Sequence, residues 1–191
     1  MYTQIINNVK RFIELNDDEL YFFTSLLSTK KYKRKDMILR NGEVSNYELF
    51  IVNGCVKNYT IDNNGFEHIS MFAIEDWWTG DIASFTSTTP SVFNIEALED
   101  TEVLQISKAN LDLLLDKVPK FEKFFRILYE RSLIAYIERN NQNISFTAEQ
   151  RYLTFIKKYP KFELRVSQKN IAAYLGITPE FLSLLRKKLN S

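Results

Sequence analysis

The sequence predicts an α+β fold. An N-terminal antiparallel β-roll of the double-stranded β-helix or jelly-roll kind, with flanking helices, leads into a long helix and then a C-terminal helix-turn-helix domain. Three observations carry this. Short β-prone segments separated by Asn-Gly pairs run from Ser28 to Ser107. One long helical pattern of apolar residues runs from Pro119 to Asn143. The last stretch, Ser167 to Leu189, reads as two short capped helices joined by a sharp turn.

Taken in order, residues 2 to 28 are expected to be helical. Ile5, Ile6, Val9, Phe12 and Ile13 recur at helical spacing, and Asn16 or Asp17 can cap a second helix carrying Leu20, Phe23, Leu26 and Leu27. Candidate strands follow at Lys30–Lys33, Met37–Arg40, Glu48–Val52, Cys55–Ile61, His68–Ala73, Trp77–Thr79, Phe93–Ala97 and Val103–Ser107. Asn41-Gly42, Asn53-Gly54 and Asn64-Gly65 punctuate them, and both residues of such a pair tolerate the positive φ that tight hairpins need. Short strands at this spacing suggest a small antiparallel barrel or jelly roll. Ser107 can cap a helix with Leu111, Leu114 and Leu115.

The long helix carries Phe121, Phe124, Phe125, Leu128, Leu133, Ile134 and Ile137, more apolar surface than one domain needs, which suggests a subunit interface. A singly buried helix would show the same pattern. Thr147 can cap the next helix, with Tyr152, Leu153, Phe155 and Ile156 toward a core, and Phe162–Val166 reads as a short extended link.

In the last stretch Ser167 is a good N-cap, with Val166 placed to pack on Ile171 ahead of Ala172 and Leu175. Gly176 ends that helix. Thr178 caps the next and Pro179 sits at its first position, where proline is favoured. Leu182, Leu185 and Leu189 share a face, and Arg186, Lys187 and Lys188 give the helix end the sign its dipole favours. Turned at 100° per residue from Leu182, the helix directs Glu180, Ser183, Leu184, Lys187 and Lys188 outward. An αα-hairpin closing a globular domain would use the same scaffold. The charge favours a nucleic-acid contact.

That charge is unevenly spread. The 191 residues carry a net charge of +1, but from Thr147 onward there are 9 Lys or Arg against 3 Asp or Glu, leaving 16 against 21 before it. An acidic body with a basic end suggests a nucleic-acid contact confined to that end. Cys55 is the only cysteine and His68 the only histidine, which excludes a disulfide framework and a Cys/His metal site. Cys55 reads as a small apolar strand residue, and His68 as a strand-edge hydrogen-bonding group. No signal-peptide core or membrane-length apolar run is present, so a cytoplasmic protein without a membrane contact is expected.

The order of elements resembles the Crp–Fnr family of bacterial transcription regulators over nearly the whole chain. Ile38-Leu39 with Asn41-Gly42-Glu43, Phe50-Ile51-Val52-Asn53-Gly54-Cys55-Val56, Asn64-Gly65, and Ala97-Leu98-Glu99-Asp100 with Val103-Leu104 and Ile106 are similar to that family's roll. Arg151-Tyr152-Leu153 and Ile171 through Glu180 are similar to its tail. The resemblance implies a cyclic-nucleotide-binding-like sensor domain over 1–118, a dimerisation helix and linker over 119–146, and a DNA-binding helix-turn-helix domain over 147–191. It implies a homodimer on a two-fold DNA site, with RNA polymerase and an unidentified small-molecule effector as further partners.

Three departures from that pattern matter. Members that bind cyclic AMP hold the ribose with a Gly-Glu pair and the phosphate with an Arg after a Pro. Here the aligned residues are Gly80-Asp81 and Pro90-Ser91, so no guanidinium is available for the phosphate and cyclic AMP is not expected. The effector-pocket candidates are Trp78, Gly80, Asp81, Ile82, Phe85, Ser91 and Phe93. One cysteine and one histidine cannot supply the cluster that iron–sulfur members use, so no cofactor is assigned. Relatives commonly place a guanine-reading Arg where Leu184 stands, and Leu184 offers only apolar contact, for example with a thymine methyl.

The DNA-binding candidates are therefore Ser167, Thr178, Glu180, Ser183, Leu184, Lys187 and Lys188. Glu180 can accept from cytosine N4, and the two lysines suit phosphates. No β wing is expected beyond the last helix, since the sequence ends at Ser191. A metal enzyme on this roll would need several His and carboxylate ligands, and Glu75, Asp76 and Asp81 read better as a solvated turn, so no catalytic or metal residue is assigned. The alternative regulator is a ligand sensor acting through protein contacts, with lost or weak specific DNA binding.

Overall fold

The computed structural model describes residues 2–160 and 162–189. Two helices lead in: α1 (Thr3–Lys10) and α2 (Asp17–Ser25). Asn16 caps α2 in a reciprocal box, its Oδ1 accepting from the Glu19 amide while Glu19 Oε2 accepts from the Asn16 amide, 2.9 Å each. Eight strands follow: β1 (Ser28–Tyr32), β2 (Met37–Leu39), β3 (Tyr47–Asn53), β4 (Cys55–Ile61), β5 (Glu67–Ile74), β6 (Trp78–Thr79), β7 (Asn94–Ala97) and β8 (Thr101–Ser107). They form two four-stranded sheets, ordered β1-β8-β3-β6 and β2-β7-β4-β5. Each candidate strand is present, with ends moved by a residue or two. Gly54 links β3 to β4 at φ +106, and any side chain there would run into Thr101.

Helices α3 (Ile82–Ser87), α4 (Lys108–Lys117) and α5 (Lys120–Ser145) complete the first half. The sequence carries little signal for α3. It is six residues of mostly Ile, Ser and Thr, and it depends on Asp81, which accepts from the amides of Ala83 and Ser84. Four more helices end the chain: α6 (Ala148–Lys158), α7 (Phe162–Arg165), α8 (Gln168–Leu175) and α9 (Pro179–Leu189). The expected extended link over 162–166 is instead helical. Phe162 buries against Phe155 and Tyr159, and the Val166 amide closes on the Phe162 carbonyl at 2.8 Å. Packing here overrides a weak local preference. The expected lack of a β wing concerns Asn190 and Ser191, which lie outside the described residues.

The residues group into two compact units, 1–58 with 72–131 and 59–71 with 132–191. The first is held by a cluster in which Ile5 and Val9 of α1, Phe23 of α2, Phe50 of β3, Trp78 of β6 and Phe121, Phe124 and Phe125 of α5 are all buried. The aromatic rings meet edge to face, with Trp78 at 5.5 to 5.9 Å from Phe50, Phe124 and Phe125. The second unit buries Tyr152, Phe155, Phe162, Val166, Ile171, Ala172, Leu175, Leu182 and Leu185.

Candidate functional site

The helix-turn-helix forms as its caps require. Ser167 Oγ accepts from the Asn170 amide at 3.3 Å, and Thr178 Oγ1 from the Phe181 amide at 3.1 Å. Gly176 ends α8 at φ +66, the left-handed position that favours glycine. Leu182 and Leu185 are buried, whereas Leu189, expected on the same face, is partly in water. Arg186 turns inward, 3.7 Å from Glu163, whose Oε1 also accepts from the Tyr152 hydroxyl at 2.7 Å. Burial first, and that carboxylate second, push the Tyr152 phenol up to about 12. This network braces α6, α7 and α9.

The outward face of α9 is exposed at Glu180, Ser183, Leu184 and Lys187, with Leu184 at 67%. Lys188 is exposed but committed: its ammonium lies 2.9 Å from Glu149 in the first turn of α6. Sequence reasoning missed Phe181, a large exposed ring beside Glu180. Its place in a two-helix motif invites assigning it to the core, and only the rotation of α9 sets it outside. Ser167 and Thr178 spend an oxygen lone pair on their caps, and each hydroxyl hydrogen stays available to a phosphate.

A second feature of this unit carried no sequence signal. Arg139 of α5 donates to the carbonyls of Ser70, Ile69 and Tyr174, and its guanidinium lies 3.8 Å from the centre of the Tyr174 ring. Burial lowers its pKa from the usual arginine value. One side chain thus ties the long helix to β5 and to α8.

The roll's candidate pocket residues divide. Trp78 and Phe85 belong to the aromatic core, not to a cavity: Trp78 packs on Phe50, Phe124 and Phe125, and its indole N–H donates to Asn8 at 3.2 Å. Their size and apolarity suit the core between roll and helices better than a polar cassette. Asp81 and Ser91 do meet. The Ser91 hydroxyl donates to Asp81 Oδ2 at 2.6 Å, while Asp81 Oδ1 takes the amides of Ala83 and Ser84. The Ser91 oxygen accepts from the Phe93 amide at 2.9 Å. Ile82 is exposed and Phe93 half-buried. Gly80 lies against Glu48: an added Cβ would stand 3.1 Å from its carboxylate. No cation lies between Thr79 and Phe93, so the cassette's one charge, Asp81, is negative.

Glu75, Asp76 and Asp81 do not act together. Glu75 accepts from the Gly54 amide at 2.9 Å and Asp76 pairs with Arg11 at 2.6 Å, while Asp81 sits in the cassette. Cys55 is buried on β4, and His68 Nε2 lies 2.9 Å from Asp62. One cysteine cannot supply the four thiolates of an iron–sulfur cluster. Among the described residues no helix is long and apolar enough to cross a membrane.

Residues 29–118 match the model of the cyclic nucleotide-binding domain. The chain is similar to the anaerobic regulatory protein of Haemophilus influenzae, 30% identical over 90% of this chain and 70% of the relative. The chain belongs to the Crp–Fnr family of transcription regulators. Another family relative, the fumarate and nitrate reduction regulatory protein of Vibrio cholerae, is 27% identical over 90% of this chain and 72% of its own. Among solved structures the fold is similar to that of FixK2 from Bradyrhizobium japonicum, with TM-score 0.77 at 20% identity, covering 86% of this chain and 84% of that one. CooA from Carboxydothermus hydrogenoformans (a mutant) matches with TM-score 0.73 at 17% identity, covering 94% and 86%. Curated Crp–Fnr relatives are regulators, not enzymes, which supports a non-enzymatic role.

Proposed function

We propose that the protein is a homodimeric DNA-binding transcription regulator of the cytoplasm, reading a two-fold operator through α9, with a roll that does not take cyclic AMP. The observation that carries this is the free outer face of α9, where Glu180, Ser183, Leu184 and Lys187 project from a fully capped scaffold. In this reading Ser167, Thr178 and Lys187 bind phosphates and Glu180, Ser183 and Leu184 meet base edges. Lys188 joins the phosphate contacts by leaving Glu149.

Dimerisation is supported by α5. Past Tyr129 its apolar residues are no longer covered, with Leu133 at 58% and Ile144 at 75% exposure and Ile134 and Ile137 between them. Burying that stripe against a second copy removes apolar area from water at ~25 cal/mol per Å2. The division of labour follows the sequence domains, 1–118 as sensor, 119–146 as dimer helix and linker, 147–191 as reader, although compactness groups residues 59–71 with the reader. The case against cyclic AMP rests on the cassette. Asp81 has both oxygens engaged and no guanidinium stands ready for a cyclic phosphate.

The test is binding of the purified chain to random and promoter-derived duplexes across salt, with sedimentation for mass. We expect a dimer, a steep salt slope, and a preferred site of two half-sites ~34 Å apart. Glu180→Ala should change the preferred bases. Cyclic AMP should change neither affinity nor heat. Weak, equal binding to every duplex would overturn the reading in favour of a sensor that works through protein contacts.

A further inference from the structure

We infer that the roll holds a second ligand site, built from residues other than the cassette, for a small organic monoanion with an apolar body, aromatic carboxylates being the class it fits. A cavity of about 420 Å3 opens between β1, β2, β3 and β8. At a liquid share of ~30 Å3 per water this is about fourteen water volumes, room for a molecule of roughly 10 to 15 heavy atoms.

Its chemistry is graded. The floor is Leu39, Leu49 and Ile95, all buried. Gln105 lies across the strand pair from Leu49, is only 9% exposed, and makes no side-chain hydrogen bond among the described residues. Its amide is not cut off from water, so it is open to a polar group of a bound ligand. On the wall, Lys30 holds its ammonium 5.2 Å from the centre of the Tyr32 ring and has no carboxylate partner among the described residues. Glu43, the carboxylate lining the cavity, already accepts from the Arg40 amide at 2.9 Å. One cation, one free amide and an apolar floor select a carboxylate on an apolar body. A cationic ligand would meet Lys30, and a dianion would find one counter-charge where it needs two.

The site also has a mechanical route to the cassette. The loop 43–46 lines it, and that loop is bonded to the cassette at two points, with a third at the preceding Gly42. Ser45 N donates to Ser84 Oγ at 2.9 Å, Ser91 N to the Glu43 carbonyl at 2.8 Å, and Gly42 N to the Ser91 carbonyl at 2.8 Å. A ligand pressing on the loop therefore moves Ser84 and Ser91, and with them Asp81.

The inference does not depend on DNA binding, so calorimetry on the full chain without DNA tests it. The probes are sodium benzoate and sodium 2-naphthoate, with 2-naphthalenemethanol for the body without the charge and acetate for the charge without the body. We expect saturable binding of 2-naphthoate at one site per chain, at least tenfold weaker binding of the alcohol, and none of acetate. Lys30→Met should weaken 2-naphthoate at least tenfold. Lys31→Met, one residue on and paired with Glu102, should leave it unchanged. No saturable binding of either aromatic acid, or equal binding by the parent and Lys30→Met, would overturn the proposal.

Discussion

The cassette of the roll and the outer face of α9 are this chain's two candidate binding regions, and they are built in opposite ways. In the cassette every polar group argues with its neighbour. Asp81 takes two amides and the Ser91 hydroxyl, and Ser84 is shared between the Ser45 amide and the Thr89 carbonyl. On the outer face of α9 the polar groups Glu180, Ser183 and Lys187 point away from their own helix and stand uncommitted, whereas Lys188 pairs with Glu149. A self-satisfied cluster stabilises the fold and resists an incoming phosphate. An exposed, unpaired face adds little to the fold's stability and leaves its polar groups open to a partner. The same motif inheritance therefore predicts a structural role in one region and a binding role in the other.

The contrast can be broken by substitution. The largest expected effect is on the scaffold beneath the open face. Leu182 is fully buried between α8 and α9, so Leu182→Ala should cost ~2–5 kcal/mol and abolish DNA binding, with the first unit's near-ultraviolet signal from Trp78 retained. If DNA binding survives at unchanged stability, α9 is not anchored as described.

The next effect lies beside the cassette. Glu48 is 4% exposed, and its Oε1 has no partner. Burial first, and the Asp81 charge second, push its carboxyl from an ordinary 4.5 up to about 8. The folded chain thus keeps a proton that the unfolded chain releases. This contribution to stability is full below about pH 4.5 and is lost as pH rises to about 8, at up to ~1.4 kcal/mol per pH unit. Glu48→Gln should flatten that slope in urea midpoints taken from pH 5 to pH 8. Equal slopes in parent and variant would show that Glu48 is not the group responsible.

Smaller is the loss of the cap itself. Asp81→Ala removes the acceptor for two amides and one hydroxyl and should cost ~1–2 kcal/mol in thermal unfolding, with no change in the response to cyclic AMP. A variant that unfolds like the parent would mean the cassette is not self-satisfied. The smallest effect separates two adjacent lysines. Lys187→Ala should lower the salt slope of DNA binding by ~1, uniformly over sequences, and Lys188→Ala by less, because Lys188 must first leave Glu149. Identical slopes would erase the distinction drawn on this face.

Most of the elements were legible before any coordinates, and particular residues show why. Asn16, Ser107, Thr147, Ser167 and Thr178 cap helices through atoms within three residues of themselves, so the information is local. Short β-prone runs between Asn-Gly pairs marked the strands. Helices α3 and α7 escaped because they are only six and four residues long, too short to show an apolar period. Trp78 looked like a pocket residue because its neighbours are Gly80 and Asp81, yet its packing partners are Phe124 and Phe125, some 46 residues on.

The chain's own order of residues therefore indicated most of the helices and strands, the burial of Leu182 and Leu185 on α9, and the lack of any Lys or Arg between Thr79 and Phe93. These depend on periods, caps and composition, which act over a few residues. Contacts far apart in the chain decided the rest: that Phe121, Phe124 and Phe125 are covered while Leu133 and Ile144 of the same helix are not, that Glu48 keeps an oxygen without a partner, and that Arg139 meets the carbonyls of Ile69 and Tyr174. Burial and hydrogen-bond satisfaction are properties of a neighbourhood, and a neighbourhood exists only once the chain has closed on itself.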